Sequence, residues 1–233
     1  MKLGIMQPYF FPYLGYFDLI NSTDRWIVFD TAQYIRHGWV NRNRIVHVDS
    51  GWQHILVPLK KHSRQAAIKD IEIAANIDWK NCILGQLLRY KKKARYYKET
   101  IDLVEESLDE KESHISHLNV RVMKSVCRLL GIDFNFNIFS EMDPDLGPVE
   151  GPGDWALRIS EAMGASEYLN PPGGADIFDP GKFAASGITL KIQEFQNMEY
   201  DCRRWDFVPG LSIIDVLMWN TPEEIMAHLN SET

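Results

Sequence analysis

Cysteine is scarce in this chain: Cys82, Cys127 and Cys202 are three in 233 residues, an odd set without paired spacing. That excludes a disulfide framework and makes a reducing cytoplasm the expected home. Long apolar runs are missing as well, and nothing approaches the ~20 residues a membrane helix needs, so no membrane insertion is expected. The opening MKLGIMQ lacks the basic, apolar and small-residue succession of a secretory signal. Repeats and low-complexity segments are absent. There is no excess of basic charge either: 25 Lys and Arg against 32 Asp and Glu leave a net charge of -7, which argues against a nucleic-acid partner. Metal-ligand spacing is also lacking. His114 and His117 stand three apart without a third ligand in sequence, so no zinc site is expected there.

What remains has the composition of an ordinary globular protein, with 45% hydrophobic and 24% charged residues. The chain is organised around its first twenty residues. Lys2 to Met6 is a short apolar run suited to a buried strand, Gln7 to Pro12 is aromatic and proline-punctuated, and Tyr13 to Ile20 has helical spacing. In an open α/β sheet, ligands sit outside the carboxyl ends of strands, which makes the loop at Gln7 a natural site. Pro8 and Pro12 stiffen it and leave carbonyls facing whatever it encloses. The register Tyr13-Leu14-Gly15-Tyr16, followed by Leu19-Ile20, resembles the His-x-Gly-His and Leu-Ile pattern of nucleotidyltransferases, with both histidines replaced by tyrosine. Tyr13 and Tyr16 could then donate hydrogen bonds to a phosphate, and Gly15 would let a nucleotide approach the backbone.

Arg25 to Phe29 reads as a second buried strand. Phe29 to Val46 is the most unusual stretch. Gln33, Arg36, His37, Asn41, Arg42, Asn43 and Arg44 gather multidentate donors with Tyr34 and Trp39 around Gly38, and lysine is absent. Arginine forks match phosphate or carboxylate oxygens in pairs, and amides add neutral donors, so the composition suits an anionic ligand with a sugar or base attached. A solvated hairpin has the same alternation. Ile55, Val57 and Leu59 continue as a strand, with Lys60, Lys61, His62 and Arg64 beyond its end, and Asp70 to Ile73 reads as another short strand.

From Asp78, a helix cap, the pattern turns helical to about Leu130. Within that region RYKKKARYY, Arg89 to Tyr97, mixes basic residues with Tyr90, Tyr96 and Tyr97. The acidic segment that follows favours tyrosines packed inward and lysines in water over nucleic-acid binding. Phe134 to Phe139 restores strand alternation, and Ser140 to Trp155 is a proline- and glycine-rich loop that marks a lid or a crossing. Glu167 to Leu169 is a strand running into Asn170, Gly173 and Gly174, whose main-chain N–H groups could meet a phosphate. Ile188 to Ile192 is the last strand, and Ser212 caps a helix that contains Asp215. The expected fold is α/β, a mostly parallel Rossmann-like sheet of these five strands. The helices at Tyr13 to Asn21, Trp155 to Met163 and Phe178 to Ala185 make its crossovers, Gln33 to Ile73 forms an antiparallel extension, and a helical insertion occupies about 78–130 of one domain spanning 1–233.

MQPYFFPYLGYFDLI, DTAQYIRHGWVNRNRI, VPLKK, YLNPPGG and FVPGLSIIDVLMWN, in that order, together resemble the WbqC-like family over essentially the whole chain. Arg95 stands where the family's Lys-Ala-Pro-Tyr pattern has proline, so RYKKKARYY departs locally. The resemblance implies a bacterial role in surface polysaccharide of the O-antigen type, in which an activated sugar is modified. It carries over no catalytic residue. The expected activity is amide formation on a nucleotide-linked amino sugar from an activated acyl or aminoacyl group. His37 would be the base, Tyr13 and Tyr16 would donate to phosphate, and Gln7, Gln33, Arg36, Asn41, Arg42, Asn43, Arg44, Lys60, Asn170, Gly173 and Gly174 would bind substrate. ATP is the co-substrate such chemistry could call on, and Asp30 and Asp176, each following a strand, could share a magnesium ion with its phosphates. The alternatives are a non-catalytic sugar-nucleotide binding subunit and a nucleotidyltransferase-like enzyme.

Overall fold

The computed structural model describes residues 1–47, 49, 51–203 and 205–231. In chain order the elements are β1 (Lys2–Met6), α1 (Leu14–Asn21), β2 (Arg25–Val28), β3 (Arg42–His47), β4 (Gly51–Leu56), α2 (Trp79–Leu87), α3 (Tyr97–Ser107), α4 (Ile115–Leu130), β5 (Phe136–Ile138), α5 (Asp154–Ala162), β6 (Glu167–Asn170), α6 (Pro180–Ala185), β7 (Thr189–Ile192), α7 (Ile213–Trp219) and α8 (Pro222–Ser231). Five strands form one parallel sheet in the order β5-β2-β1-β6-β7. The chain works outward from β1 through β2 to β5, then returns to the other side of β1. The strand order therefore reverses between β1 and β6, and the crevice beyond their carboxyl ends is the position where such sheets take ligands.

Both faces of the sheet are covered. Leu3, Ile5 and Ile27 pack with Leu157, Ile159 and Phe183 of α5 and α6 on one side. Trp26 and Val28 join Phe10, Phe17, Val122, Ile214 and Ile225 in the larger core on the other. Alternation along β1 and β2 divides their side chains between the two. Capping sets several helix ends. The Asp78 carboxylate accepts from Asn81 N, the Ser212 hydroxyl accepts from Ile214 N, and Gly131, at φ 71°, terminates α4 in the left-handed conformation that glycine adopts without a Cβ clash.

The antiparallel extension is a separate two-stranded hairpin, β3 with β4, rather than an addition to the large sheet's edge. Asp70 to Ile73 is not a strand. Ile68–Asp70 is a 3-10 turn, and beyond it single bridges join Leu59 to Ile73 and Glu72 to His114. The alternation was real, since Ile71 and Ile73 are buried, but each neighbour offers one bridge and no ladder forms. The strand expected over Phe134 to Phe139 is only Phe136–Ile138, because Phe139 already begins a 3-10 turn.

Candidate functional site

The proline-punctuated loop after β1 encloses protein rather than ligand. The carbonyl of Gln7 accepts from the Tyr16 hydroxyl (2.8 Å), and that of Pro8 from Asn119 Nδ2 (2.9 Å). Asn43 Nδ2 serves the carbonyls of both Phe10 (3.0 Å) and Phe11 (2.9 Å), and Phe11 also takes the Ser212 hydroxyl (2.8 Å). Ile213 N reaches Pro12 O at 2.9 Å. Buried carbonyls need partners, and here three distant segments supply them. Phe11 is held at φ 40°, a strained value for a bulky residue, at the centre of these bonds.

This arrangement corrects parts of the expected site. Tyr16 is 1% exposed with its hydroxyl turned to Gln7, and burial pushes its pKa well up, so it braces the loop. A Cβ on Gly15 would meet the Tyr13 ring at 2.5 Å and the Phe195 ring at 2.7 Å, so the space expected for a nucleotide is filled by aromatics. Asn41 and Asn43 are buried as well. Asn41 accepts from the Tyr34 hydroxyl and donates to Val57 O. Asp30 is fully buried, and its two carboxylate oxygens accept from Ser140 N and the Ser140 hydroxyl, which turns it away from any magnesium shared with Asp176. Among the described residues no group of three or more His, Cys, Asp or Glu is placed to hold a metal ion.

The loop carries the hairpin on its back. Phe10 N bonds to Trp39 O, and Ser212 N bonds to Arg44 O. With Asn43 and Ile45 facing inward, the pleat sends Arg42 and Arg44 outward. Arg42 is occupied locally: Nε and Nη2 donate to the carbonyls of Gly38 and His37, and Nη1 lies 3.5 Å from His37 Nδ1, bracing a turn in which His37 has φ 65°. Arg44 is different. Its guanidinium lies 5.3 Å from the Trp39 ring and 5.3 Å from the Trp52 ring, and Nη2 donates to Gly210 O at 3.1 Å. No carboxylate pairs with Arg36, Arg42 or Arg44 among the described residues, and Arg44 Nε is buried without a partner. The two rings cover the faces of the guanidinium, and with Nε buried and Nη2 on Gly210 O, Nη1 is the donor left for an anion.

His54 stands opposite Arg44 across the hairpin, with its ring 4.9 Å from Trp52. Burial, and then the charges of Arg42 and Arg44, hold its pKa below the ordinary value, so at neutral pH the ring is an uncharged acceptor. Neither His54 nor Trp52 stood out in the sequence. The register that pairs them with the arginines depends on where the hairpin turns, and Gly51 at φ 75° was the available signal. Asp215 was also missed as a site residue. It is buried in α7, accepts from the hydroxyls of Tyr90 and Tyr200 (2.7 Å for the latter), and the Tyr90 hydroxyl in turn accepts from Val46 N at 3.1 Å. Burial raises its pKa against the lowering effect of both tyrosines.

The remaining expected residues are dispersed. Asn170 ends β6 at the switch point, where its carbonyl accepts from Gln193 N, and Gln193 Nε2 also reaches Gly15 O at 2.8 Å. Gly173 has open space at its Cβ position, whereas a Cβ on Gly174 would meet Asn170 Nδ2 at 2.6 Å. Gln33 donates to Arg64 O, and Lys60 pairs with Glu72 at the surface. Gln7 and Tyr13 are half-buried at the end of β1.

No solved structure matches the chain significantly. An uncharacterized protein of Mycobacterium tuberculosis is 29% identical over 219 residues, covering 93% of this chain and 92% of the relative. Among the described residues no helix is long and apolar enough to cross a membrane. The family model that matches runs from residue 7 to 227, from the braced loop through the hairpin to α8, and by that match the chain belongs to the WbqC-like protein family.

Proposed function

We propose that this WbqC-like protein is a cytoplasmic enzyme of surface-polysaccharide synthesis that binds a nucleotide-linked amino sugar and forms an amide on its amine from an activated acyl or aminoacyl group. One observation carries the binding step: a guanidinium, Arg44, set between Trp39 and Trp52 with no carboxylate partner among the described residues. An anion complements that charge, and the partly exposed tryptophans suit a base or sugar beside it. Arg44 and Arg36 hold the diphosphate, and Arg42 keeps the His37 turn in place. His54 or His37 takes the proton that the sugar amine loses as it attacks. Gln7, Tyr13 and Gly173 offer the neutral contacts at the strand ends, whereas Asn170, 4% exposed with its amide bonded to the Tyr168 hydroxyl and the Pro171 carbonyl, belongs to the frame.

A second reading, a sugar-nucleotide binding subunit without catalysis, draws support from the openness of the same face. Trp39 is 37% and Trp52 40% exposed, and amide formation gains from excluding water. Calorimetry with UDP- and TDP-linked amino sugars, followed by incubation with acyl thioesters or with acid plus ATP and mass spectrometry of the sugar, separates the two. Binding with an amide product supports the enzyme, binding without product supports the subunit, and no binding rejects both.

A further inference from the structure

Two neighbouring segments of the chain, with nine residues between them, pack together and hold more than half of its positive charge. Residues 31–69 and 79–98 hold 14 of the chain's 25 lysines and arginines but only one of its 32 acidic residues, Asp49. The structure joins them: Gln86 Nε2 donates to His54 O at 2.9 Å, Arg89 Nη1 to Val46 O at 3.4 Å, and Val46 N to the Tyr90 hydroxyl. The helical turn after α2 therefore lies against the hairpin that presents Arg44. Lys91, Lys92, Arg95 and Lys98 are exposed there, and among the described residues none of them pairs with a carboxylate. Tyr90 packs inward and fixes the turn.

We propose that this surface docks an acidic carrier protein that presents the acyl or aminoacyl group as a thioester on a phosphate-bearing arm. The proposal rests on the amide-forming reading above and names its donor. Flexible, strongly hydrated lysines steer a protein partner and set its on-rate, while the forked arginine beside them holds small anions in a fixed plane. The remainder of the chain carries 11 basic against 31 acidic residues. A compact acidic partner fits the cationic surface alone, whereas an extended polyanion such as RNA would run onto repelling ground. With a thioester donor, the sugar amine attacks the thioester carbonyl, the C–N bond forms as the C–S bond breaks, and the amine's proton ends on the thiol released from the arm. No ATP is consumed.

The test uses the full-length protein, a purified holo acyl carrier protein as probe, and a 20-nucleotide single-stranded RNA as the competing class. Carrier affinity should fall at least tenfold between 50 and 200 mM salt. In the triple variant Lys91→Glu, Lys92→Glu, Arg95→Glu it should fall at least tenfold again, with melting temperature and nucleotide-sugar affinity unchanged. No carrier binding by the parent, equal binding by the triple variant, or tighter binding of RNA than of carrier at 150 mM salt each overturns the proposal. Salt-dependent carrier binding that the triple variant loses, in a protein that fails to bind nucleotide sugar, would leave the docking surface standing and reject the sugar reading instead.

Discussion

The loop from Gln7 to Tyr13 and the outer face of the hairpin are both dense in groups that could bind a ligand, yet the structure uses them in opposite ways. In the loop, five carbonyls are met by Tyr16, Asn119, Asn43, Ser212 and Ile213. On the hairpin, Arg44 has two tryptophan rings and one carbonyl but no carboxylate partner among the described residues. Polar residues whose partners are internal specify a frame, and the unmet charge on the hairpin is where the proposed ligand is assigned. Substitutions at five positions can break or sharpen that contrast.

The largest effect is expected at Asn43. Its amide serves two carbonyls, and its Oδ1 accepts from Arg44 N at 2.8 Å, all in a residue 4% exposed. Asn43→Ala strands the Phe10 carbonyl and Arg44 N at about 1–3 kcal/mol apiece and leaves the Phe11 carbonyl to Ser212 alone, so a net loss of about 3–5 kcal/mol is expected. Thermal melting should fall by roughly 6–15 °C. A fall under about 2 °C would show that water replaces the amide and that the loop is not pinned by it.

Next is Asp215, which holds the hairpin from behind through Tyr90. Asp215→Leu leaves two buried hydroxyls without their acceptor and should cost about 2–4 kcal/mol. Asp215→Asn tests the charge itself. Because burial raises the folded carboxyl's pKa above its unfolded value, ionisation costs stability above the folded pKa, and the cost is relieved as pH falls through that value. Relative to the parent, the asparagine variant should therefore melt highest near neutral pH, and its advantage should shrink in acid. A difference that is flat from pH 8 to pH 4 would mean that the tyrosine hydrogen bonds fully compensate the buried charge.

Arg44→Lys should reverse the pattern seen at Asn43. It keeps the charge and loses the planar fork, so calorimetry should show nucleotide-sugar affinity reduced roughly ten- to a hundredfold, about 1.5–3 kcal/mol, with melting changed by only a few degrees. Parental affinity in a normally folded variant would place the ligand elsewhere.

The five parallel strands and the caps Asp78, Ser212 and Gly131 were legible in the sequence because each depends on neighbours within a few residues. The division of labour within the arginine segment was not. Alternation alone separates Asn41, Asn43 and Ile45 from Arg42 and Arg44, but which set faces inward depends on Phe10 and Phe11, thirty residues upstream. Asp215 read as an ordinary residue in a helix's first turns, since its partners Tyr90 and Tyr200 come from two other segments. The glycine of Tyr13-Leu14-Gly15-Tyr16 suggested room for a nucleotide, and Phe195, some 180 residues later, fills it. In each case the decisive partner was distant in sequence.

The smallest effects, and the finest division between frame and site, belong to two tyrosines three residues apart. Tyr16 donates to Gln7 O from a fully buried ring, so Tyr16→Phe strands one carbonyl and should lower melting by roughly 2–4 °C, about 1 kcal/mol, without altering nucleotide-sugar affinity. Tyr13 is half-buried at the mouth of the same loop, 6.0 Å ring to ring from Phe195, and no hydrogen bond from its hydroxyl is made within the described residues. Burial and the nearby Asp18 carboxylate raise its pKa, so the hydroxyl stays protonated and available as a donor throughout the working pH range. Tyr13→Phe should leave melting unchanged and weaken sugar binding by a factor of about two to ten, the ~0.5–1.5 kcal/mol of one neutral hydrogen bond. Melting curves and calorimetry on the pair decide the matter. If Tyr16→Phe loses affinity and Tyr13→Phe loses stability, the boundary between frame and site runs through the loop in the opposite direction.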